Sequence, residues 1–475
     1  MQGPTACSRL DVGEPERFSP GSRLLAAMAP TTAPEGDTDD AQPQAAPAEL
    51  MVALDLMNLD RALEMAEQAV EGGVDILEAG TPLIKSEGLE AVRQLRQRFP
   101  EQAIFADMKT ADTGQLECEI AAKAGASMVG ILGSASDETI TEAVRAGRKY
   151  GAEVVVDMIG VEDVVQRARE AEQMGASYVS LHVGIDEQMR GQPDYAFVRE
   201  VAEAVDTPIL CAGGITSETA PEVVSHGTDI VVVGGAITKA PDIPQAVRDI
   251  QQAIATGESV ASHGTKRYDE AEIREALLSV STPNLSDARH RGGVLQGLDP
   301  VGEDHKVAGP VLTVSTKNGD WAKPVEAIEQ ADDGHILVVD AQGGDQAVWG
   351  ELASHSCEQN DVPAVVVDGA IRDVDDIREM GFPAWARHEV PNAGDPKGFG
   401  EIGVEITAGD QPVRTGDWVL ADDCGVVVVP QEELVEIANR AVEIREKEDR
   451  LRTEIQEGSS LSEVLELNKW EQVVG

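Results

Sequence analysis

Residues 104–114 read IFADMKTADTG. An apolar run of strand character ends in Asp107, Lys109 and Asp112, three side chains of mixed sign within six positions. Dense charge at a strand end has a natural home where parallel strands converge on a common mouth, because there the C-terminal strand ends carry the chemistry. Seven more runs of this kind surround it: MVALDLM (51–57), VDILEAG (74–80), SMVGILG (127–133), EVVVDMI (153–159), YVSLHVG (178–184), PILCAGGI (208–215) and IVVVGGAIT (230–238). Between them lie helix-period segments such as DRALEMAEQAVEGG (60–73) and DVVQRAREAEQMG (163–175), apolar at i, i+3 and i+4 and closed by glycine. Eight strand–helix units in about 200 residues make a (β/α)8 TIM barrel. An open doubly wound sheet is the competing arrangement, and it seldom needs eight such regular units.

At their C-terminal ends the strands offer Asp55, Glu78, Asp107 with Lys109, Asp157 and His182, then the glycine pairs Gly213, Gly214 and Gly234, Gly235. The glycines let backbone N–H groups approach a ligand, and the ends of strands 7 and 8 commonly hold phosphate in this architecture. Such glycines also serve tight βα turns with no ligand at all. Beside so polar a mouth, phosphate is the expected occupant.

The 475-residue chain has room for two or three domains. Its formal net charge is −48, from 86 acidic against 38 basic residues, spread through the patterned segments rather than gathered in a tail. A hydrated carboxylate surface suits concentrated salt, which screens self-repulsion, and it argues against non-specific binding to nucleic acid or an anionic membrane. Five cysteines (Cys7, Cys118, Cys211, Cys357, Cys424), odd in number and without C-x-x-C spacing, fit a reduced, cytoplasmic compartment. The apolar runs are strand-length, so no membrane span is expected. Residues 1–48, rich in Pro, Ala, Thr and Asp, read as a disordered extension, or as a gene-boundary artefact with Met28 the true start. They lack the layout of a signal peptide.

VALD, LEAGTPLI, ADMKTADTG, HVGIDEQ and GGI, taken in order across residues 50–255, resemble the orotidine 5′-monophosphate decarboxylase suprafamily, and within it the 3-hexulose-6-phosphate synthases. The resemblance implies a Mg²⁺-dependent sugar-phosphate enzyme in which Glu78 and Asp107 hold the metal, a hard cation that takes oxygen ligands and leaves positions for substrate. It implies that a proton leaves C1 of ribulose 5-phosphate and that Lys109, held by Asp55 and Asp112, donates to the enediolate oxygens. His182 would move protons. Asp112 would reach into a neighbouring subunit's site, making the barrel a homodimer. The implied reaction joins formaldehyde to ribulose 5-phosphate or releases it. The related 3-keto-L-gulonate-6-phosphate decarboxylases share the metal and the lysine. They typically carry Glu at the end of strand 5, Arg three residues after the strand-6 His and Thr before the strand-7 glycines, where this chain has Asp157, Ile185 and Ala212. One departure is Gly235, where many relatives have Arg; it leaves phosphate to weaker binding or to backbone amides alone.

After QQAIATGESVASHGTKRYDE (251–270) the alternation stops and strands arrive in clusters: VAGPVLTVST, HILVVDA, PAVVVDGAI, EIGVEI, DWVLADD and GVVVVP. The expected organisation is a barrel over 49–255, a linker over 256–267, a second α/β domain over 268–450 and a helical tail over 451–475. The charged segment 431–456 reads as a packing or oligomerising helix. TPNLSDA, VAGPVLTV, VVDAQGGDQAVWGELAS, VVVDGAIRDVDDI and GDWVLADDCGVVVVP resemble the RraA-like family, which includes 4-hydroxy-4-methyl-2-oxoglutarate/4-carboxy-4-hydroxy-2-oxoadipate aldolases. The resemblance implies that Asp373 anchors a divalent metal, Mg²⁺ or Mn²⁺, largely through waters, and that Arg372 stabilises a pyruvate enolate. Backbone amides around Leu352 and Ala353 would hold the carboxylate of a small keto acid. In the aldolases a Gly precedes R-D-x-x-[DE] by about twenty residues; Gly350 precedes Arg372, Asp373 and Asp376 with twenty-one between. RDVDD also reads as a helix start with acids in its first turn. The family extends to a regulator of ribonuclease E that acts by protein contact, and a trimer is expected of this domain. The chain is thus expected to be bifunctional and a higher homo-oligomer, with keto-acid chemistry or a ribonuclease partner in its second half.

Overall fold

The structure, a computed structural model, describes residues 48–184, 189, 195–262, 266–465 and 467. Among these, eight parallel strands close into a barrel in chain order: β1 (Glu49–Leu54), β2 (Ile76–Ala79), β3 (Ala103–Thr110), β4 (Met128–Leu132), β5 (Glu153–Asp157), β6 (Tyr178–His182), β7 (Ile209–Ala212) and β8 (Ile230–Val233). Strand alternation divides the side chains. Met51, Phe105, Met128, Val155, Leu210 and Ile230 fill the barrel interior, while Leu50, Val52, Leu77, Ile104, Val129 and Val231 face the surrounding helices. The glycines that close the helices, Gly73, Gly125, Gly151, Gly175 and Gly257, all sit in the left-handed region as C-caps, where glycine alone carries no steric penalty.

The last two strands are shorter than the apolar runs suggest. At Gly234 the backbone turns to φ −98°, ψ −96°, and the amides of Ile237 and Thr238 fold back onto its carbonyl. GAIT is therefore a short helix, Gly235–Thr238, and not a strand end.

The second domain is built on a mixed nine-stranded sheet among the described residues. Its main path runs Gly425–Val429, Trp418–Asp422, Val307–Ser315, Ile336–Asp340, Val365–Ile371, Ala384–Glu389, Asp299–Pro300. Helices Ala322–Ile328, Glu351–Gln359 and Val374–Met380 cover one face through Ile328, Cys357 and Ile377. The other face buries Val311, Val338, Val366 and Trp385. Several segments differ from the sequence reading. EIGVEI breaks into Glu401–Ile402 and Ile406–Ala408, and the short strands Ala347–Trp349 and Ala384–Glu389 were not anticipated.

Helix Leu434–Gln456 passes residue 450 without a break and packs on helices Ile273–Ser279 and Thr282–Ala288. It also reaches the barrel. The Asn439 side-chain amide donates to Met189 O at 3.1 Å, Glu443 pairs with Lys239 at 2.5 Å, and Glu454 pairs with Arg61 at 2.6 Å. Met189 follows β6, Lys239 follows β8 and Arg61 follows β1, so the helix lies along the rim where the strands' C-terminal ends open. Among the described residues no helix is long and apolar enough to cross a membrane.

Candidate active site

The mouth is organised by an irregularity in β3. Ala106 pairs with Val129 of β4, yet the next paired residues are Thr110 and Ile131, so residues 107–109 bulge. Lys109 takes φ 48°, a left-handed conformation that costs a lysine about 1 kcal/mol or more and is held only where the surroundings fix it. Here they do. Lys109 Nζ donates to both carboxylate oxygens of Asp107 at 2.9 Å and lies 2.6 Å from Asp157 Oδ2. Thr81 Oγ1 sits 2.7 Å from Asp107 Oδ2, fixing the carboxylate from the other side. Gly130 on β4 makes the room, since a Cβ there would lie 3.1 Å from Asp107 Oδ1.

Within one chain Asp55 is not a direct partner of Lys109, and Asp112, expected to act from a neighbouring subunit, does not approach it. The partners are Asp107 and Asp157, because the bulge turns the ammonium across the barrel toward β5. Asp112 lies on the outer surface, where it accepts from the Thr113 amide at 2.7 Å beside Gln115, Glu119 and Glu138. Thr113 at φ 53° turns the chain outward there. Asp55 stays at the mouth opposite Gly80, where any side chain would collide with its carboxylate.

Charge in this mouth is unbalanced. Burial pulls the Lys109 ammonium down, but Asp107 and Asp157 outweigh it and hold the lysine well above its ordinary range. Burial raises Asp157, yet His182 and Lys109 bring it below the usual carboxylate value. Glu78 is 6 % exposed; burial, then Asp107, Asp55 and Asp157, push its carboxyl well above normal, with Lys109 alone opposing. Asp55, exposed at the rim, is raised by desolvation among its neighbours and by Asp107. Four carboxyls thus share one ammonium. His182 stands at the rim with Nδ1 3.7 Å from Asp157 Oδ2, longer than a hydrogen bond.

At the far side of the mouth, Gly213 adopts φ 105° where a Cβ would collide with Val183 O, and its carbonyl accepts from the Tyr195 hydroxyl at 2.8 Å. Gly214 follows at φ 71°, and Gly234 and Gly235 lead into the short helix ending at Lys239. Ala212 is buried at the end of β7, and Ile185 lies outside the described residues. Thr81, Gly130 and Lys239 were not singled out from the sequence. Thr81 stands inside EAGTP, whereas nothing near Lys239 marks it.

In the second domain the structure brings Gly350, Arg372 and Asp373 together. Arg372 Nε lies 3.2 Å from Asp373 Oδ2, and a Cβ on Gly350 would stand 2.6 Å from that same oxygen. Asp373 is left-handed at φ 55° and begins helix Val374–Met380, with Asp375 and Asp376 in its first turn. Leu352 is 74 % exposed in the first turn of helix Glu351–Gln359, while the Ala353 amide already donates to Gly350 O at 3.1 Å. Of the two expected carboxylate binders, Ala353 is therefore partly committed to its own helix. Among the described residues no three His, Cys, Asp or Glu side chains converge on one metal position.

Comparison with known proteins divides the chain as the fold does. The family model for orotidine 5′-phosphate decarboxylase / HUMPS matches residues 48–250, and the RraA-like model, described as Aldolase/RraA, matches residues 282–428. The barrel is 44 % identical over 206 residues to 3-hexulose-6-phosphate synthase of Mycobacterium gastri, covering 43 % of this chain and 99 % of that protein. It is 37 % identical over 210 residues to the protein of the same name from Bacillus subtilis, covering 44 % and 100 %. A crystal structure of a 3-hexulose-6-phosphate synthase aligns with 43 % identity, 43 % and 99 % coverage and a TM-score of 0.42.

Proposed function

The chain belongs through its barrel to the orotidine 5′-phosphate decarboxylase / HUMPS family and carries an RraA-like domain after it, and on that premise we propose that the barrel is a lyase joining formaldehyde reversibly to ribulose 5-phosphate to give 3-hexulose 6-phosphate. The observation that carries this reading is Lys109 clamped between Asp107 and Asp157 beside the buried Glu78.

A lysine held so firmly protonated cannot act as the base. It is a fixed donor aimed at oxygens that become negative when C1 of the sugar loses a proton, and such preorganised charge stabilises the transition state more than the ground state. His182, with Asp157 behind it, takes the C1 proton. The C1 electron pair then forms the new bond to the formaldehyde carbon, and the resulting alkoxide takes the proton back from the imidazole. The excess of carboxyls in the mouth suits a hard cation. Glu78 and Asp107 would hold Mg²⁺, which when bound supplies electrophilic stabilisation of charge developing on the neighbouring substrate oxygens. The glycines after β7 and β8 receive the phosphate. Asp112, on the outer surface, is the residue offered to a second copy of the chain.

For the RraA-like domain the favoured reading is keto-acid cleavage, with Arg372 facing an enolate oxygen and Asp373 anchoring a divalent cation. What favours it over a purely regulatory role is Gly350, which keeps the space beside Asp373 clear.

An assay in molar KCl with Mg²⁺, ribulose 5-phosphate and formaldehyde tests the barrel: hexulose 6-phosphate accumulates with the wild type and not with Glu78→Gln. Faster CO₂ release from 3-keto-L-gulonate 6-phosphate would replace this reading with the decarboxylase one. Oxaloacetate decarboxylation lost in Asp373→Ala supports the second site; no keto-acid turnover with any divalent metal leaves the ribonuclease-regulator reading ahead.

A further inference from the structure

The helix Leu434–Gln456 places Glu443 of the second domain 2.5 Å from Lys239 of the barrel. Lys239 closes the short helix Gly235–Thr238, and its side chain folds back over Gly235. A Cβ built on Gly235 would lie 3.4 Å from Lys239 Cδ and Cε and 3.8 Å from Nζ. The Lys239 side chain therefore packs in ordinary van der Waals contact against Gly235, with its ammonium alongside. It stands beside the loop that follows β8.

Backbone amides orient an anion but bring no net charge, and a phosphate dianion entering this mouth meets Asp55, Glu78, Asp107 and Asp157. Lys109 is committed to Asp107 and Asp157 and cannot serve both ends of a sugar phosphate. Lys239 is the lysine on the phosphate side. Its side chain is 26 % exposed, enough to meet a ligand, and Glu443 is its ion-pair partner. Glu443 has other cations at hand, since Arg267 and Arg450 also act on its charge. Arg267 Nη1 is buried without a hydrogen-bond partner among the described residues. Glu443 therefore keeps positive charge beside it when Lys239 turns away.

We propose that Lys239 is the cation that receives the substrate's phosphate, and that Glu443, from the second domain, is its positioning residue, holding the ammonium at the loop while the site is empty and yielding it to the dianion. The second domain thereby sets the barrel's affinity for its substrate. This rests on the reading of the barrel as a sugar-phosphate enzyme.

The test uses the full chain at fixed KCl, with Lys239→Met, Lys239→Arg and Glu443→Gln. Steady-state kinetics are run against ribulose 5-phosphate at saturating formaldehyde, and inorganic phosphate is titrated separately by calorimetry. Lys239→Met raises KM for ribulose 5-phosphate about tenfold or more, with a smaller change in kcat, and weakens phosphate binding in step; Lys239→Arg restores both. Glu443→Gln moves both affinities the other way, because it removes a competing carboxylate. Opposite signs are the diagnostic, since a plain interdomain salt bridge would respond alike to loss of either partner. Shifts in the same direction, or none in KM or phosphate affinity, overturn the proposal. Should the wild type show no turnover while phosphate affinity still shifts in opposite directions, the catalytic reading falls and the assignment of Lys239 stands.

Discussion

Glu78 is under conflicting demands. Folding raises its carboxyl well above the ordinary 4.5, through burial and through the charges of Asp107, Asp55 and Asp157. A carboxyl raised in this way stabilises the fold fully below its unfolded value and loses that contribution as pH climbs through the folded one. At neutral pH its charged form is a cost that a bound cation would offset. Glu78→Gln should therefore raise the thermal midpoint at pH 7 in EDTA by a few degrees while abolishing turnover, and the gain should vanish near pH 4. A midpoint lowered by the substitution at pH 7 would show that Glu78 is stabilising as it stands. Asp157 has the opposite sign: its folded value lies below the ordinary 3.8, so its contribution is present at neutral pH and is lost only in strong acid. Much of this was legible in the sequence, because strand-end position alone selected Asp55, Glu78, Asp107, Lys109, Asp157 and His182. The partners of Lys109 were not. They depend on a bulge of three residues that no turn residue announces, within a run that otherwise reads as plain strand.

At the scale of elements, the loops after the strands are as constrained as the side chains. Gly213 combines φ 105° with a carbonyl directly in the path of any Cβ. Gly213→Ala should destabilise the barrel by about 2 kcal/mol or more, seen as a lower urea midpoint with unchanged m-value. A neutral result would mean that the β6 and β7 loops adjust freely, and would weaken the case for a preformed phosphate cradle. In the second domain Gly350→Ala makes the equivalent intrusion on Asp373. It should weaken divalent-cation binding in that half, measured by calorimetry on the full chain, and leave the barrel's kinetics unchanged. Barrel strands and helix-closing glycines were readable because hydrophobic period and C-cap chemistry both signal them. Ala347–Trp349 and Ala384–Glu389 were missed for the opposite reason. The first has three residues, and the second ends in Arg387, His388 and Glu389, so neither shows the apolar run of a buried strand.

For the molecule as a whole, the dominant quantity is the surplus of 86 acidic over 38 basic residues. Two electrostatic effects respond to salt with opposite signs. Exposed ion pairs such as Arg98–Glu67 at 2.6 Å and Arg414–Glu405 at 2.6 Å are attractive, and added KCl weakens them. Each such pair contributes about 0–1 kcal/mol. The unpaired carboxylates repel, and their number exceeds what the basic residues can neutralise by 48. Between 0.1 and 1 M salt the screening length shrinks from about 10 Å to about 3 Å, below the spacing of most surface charges. Repulsion summed over so many groups should outweigh the few pairs, so raising KCl from 0.1 to 2 M should lift the thermal midpoint of the full chain by several degrees. Lys239–Glu443 and Arg61–Glu454 join the helix Leu434–Gln456 to the barrel, and they work against this trend at the interdomain contact. A calorimetric scan should therefore show the barrel and the RraA-like domain unfolding closer together at low salt than at high, with both transitions moving upward. A midpoint that falls with KCl would mean that paired charges, not surplus ones, control the stability of this fold.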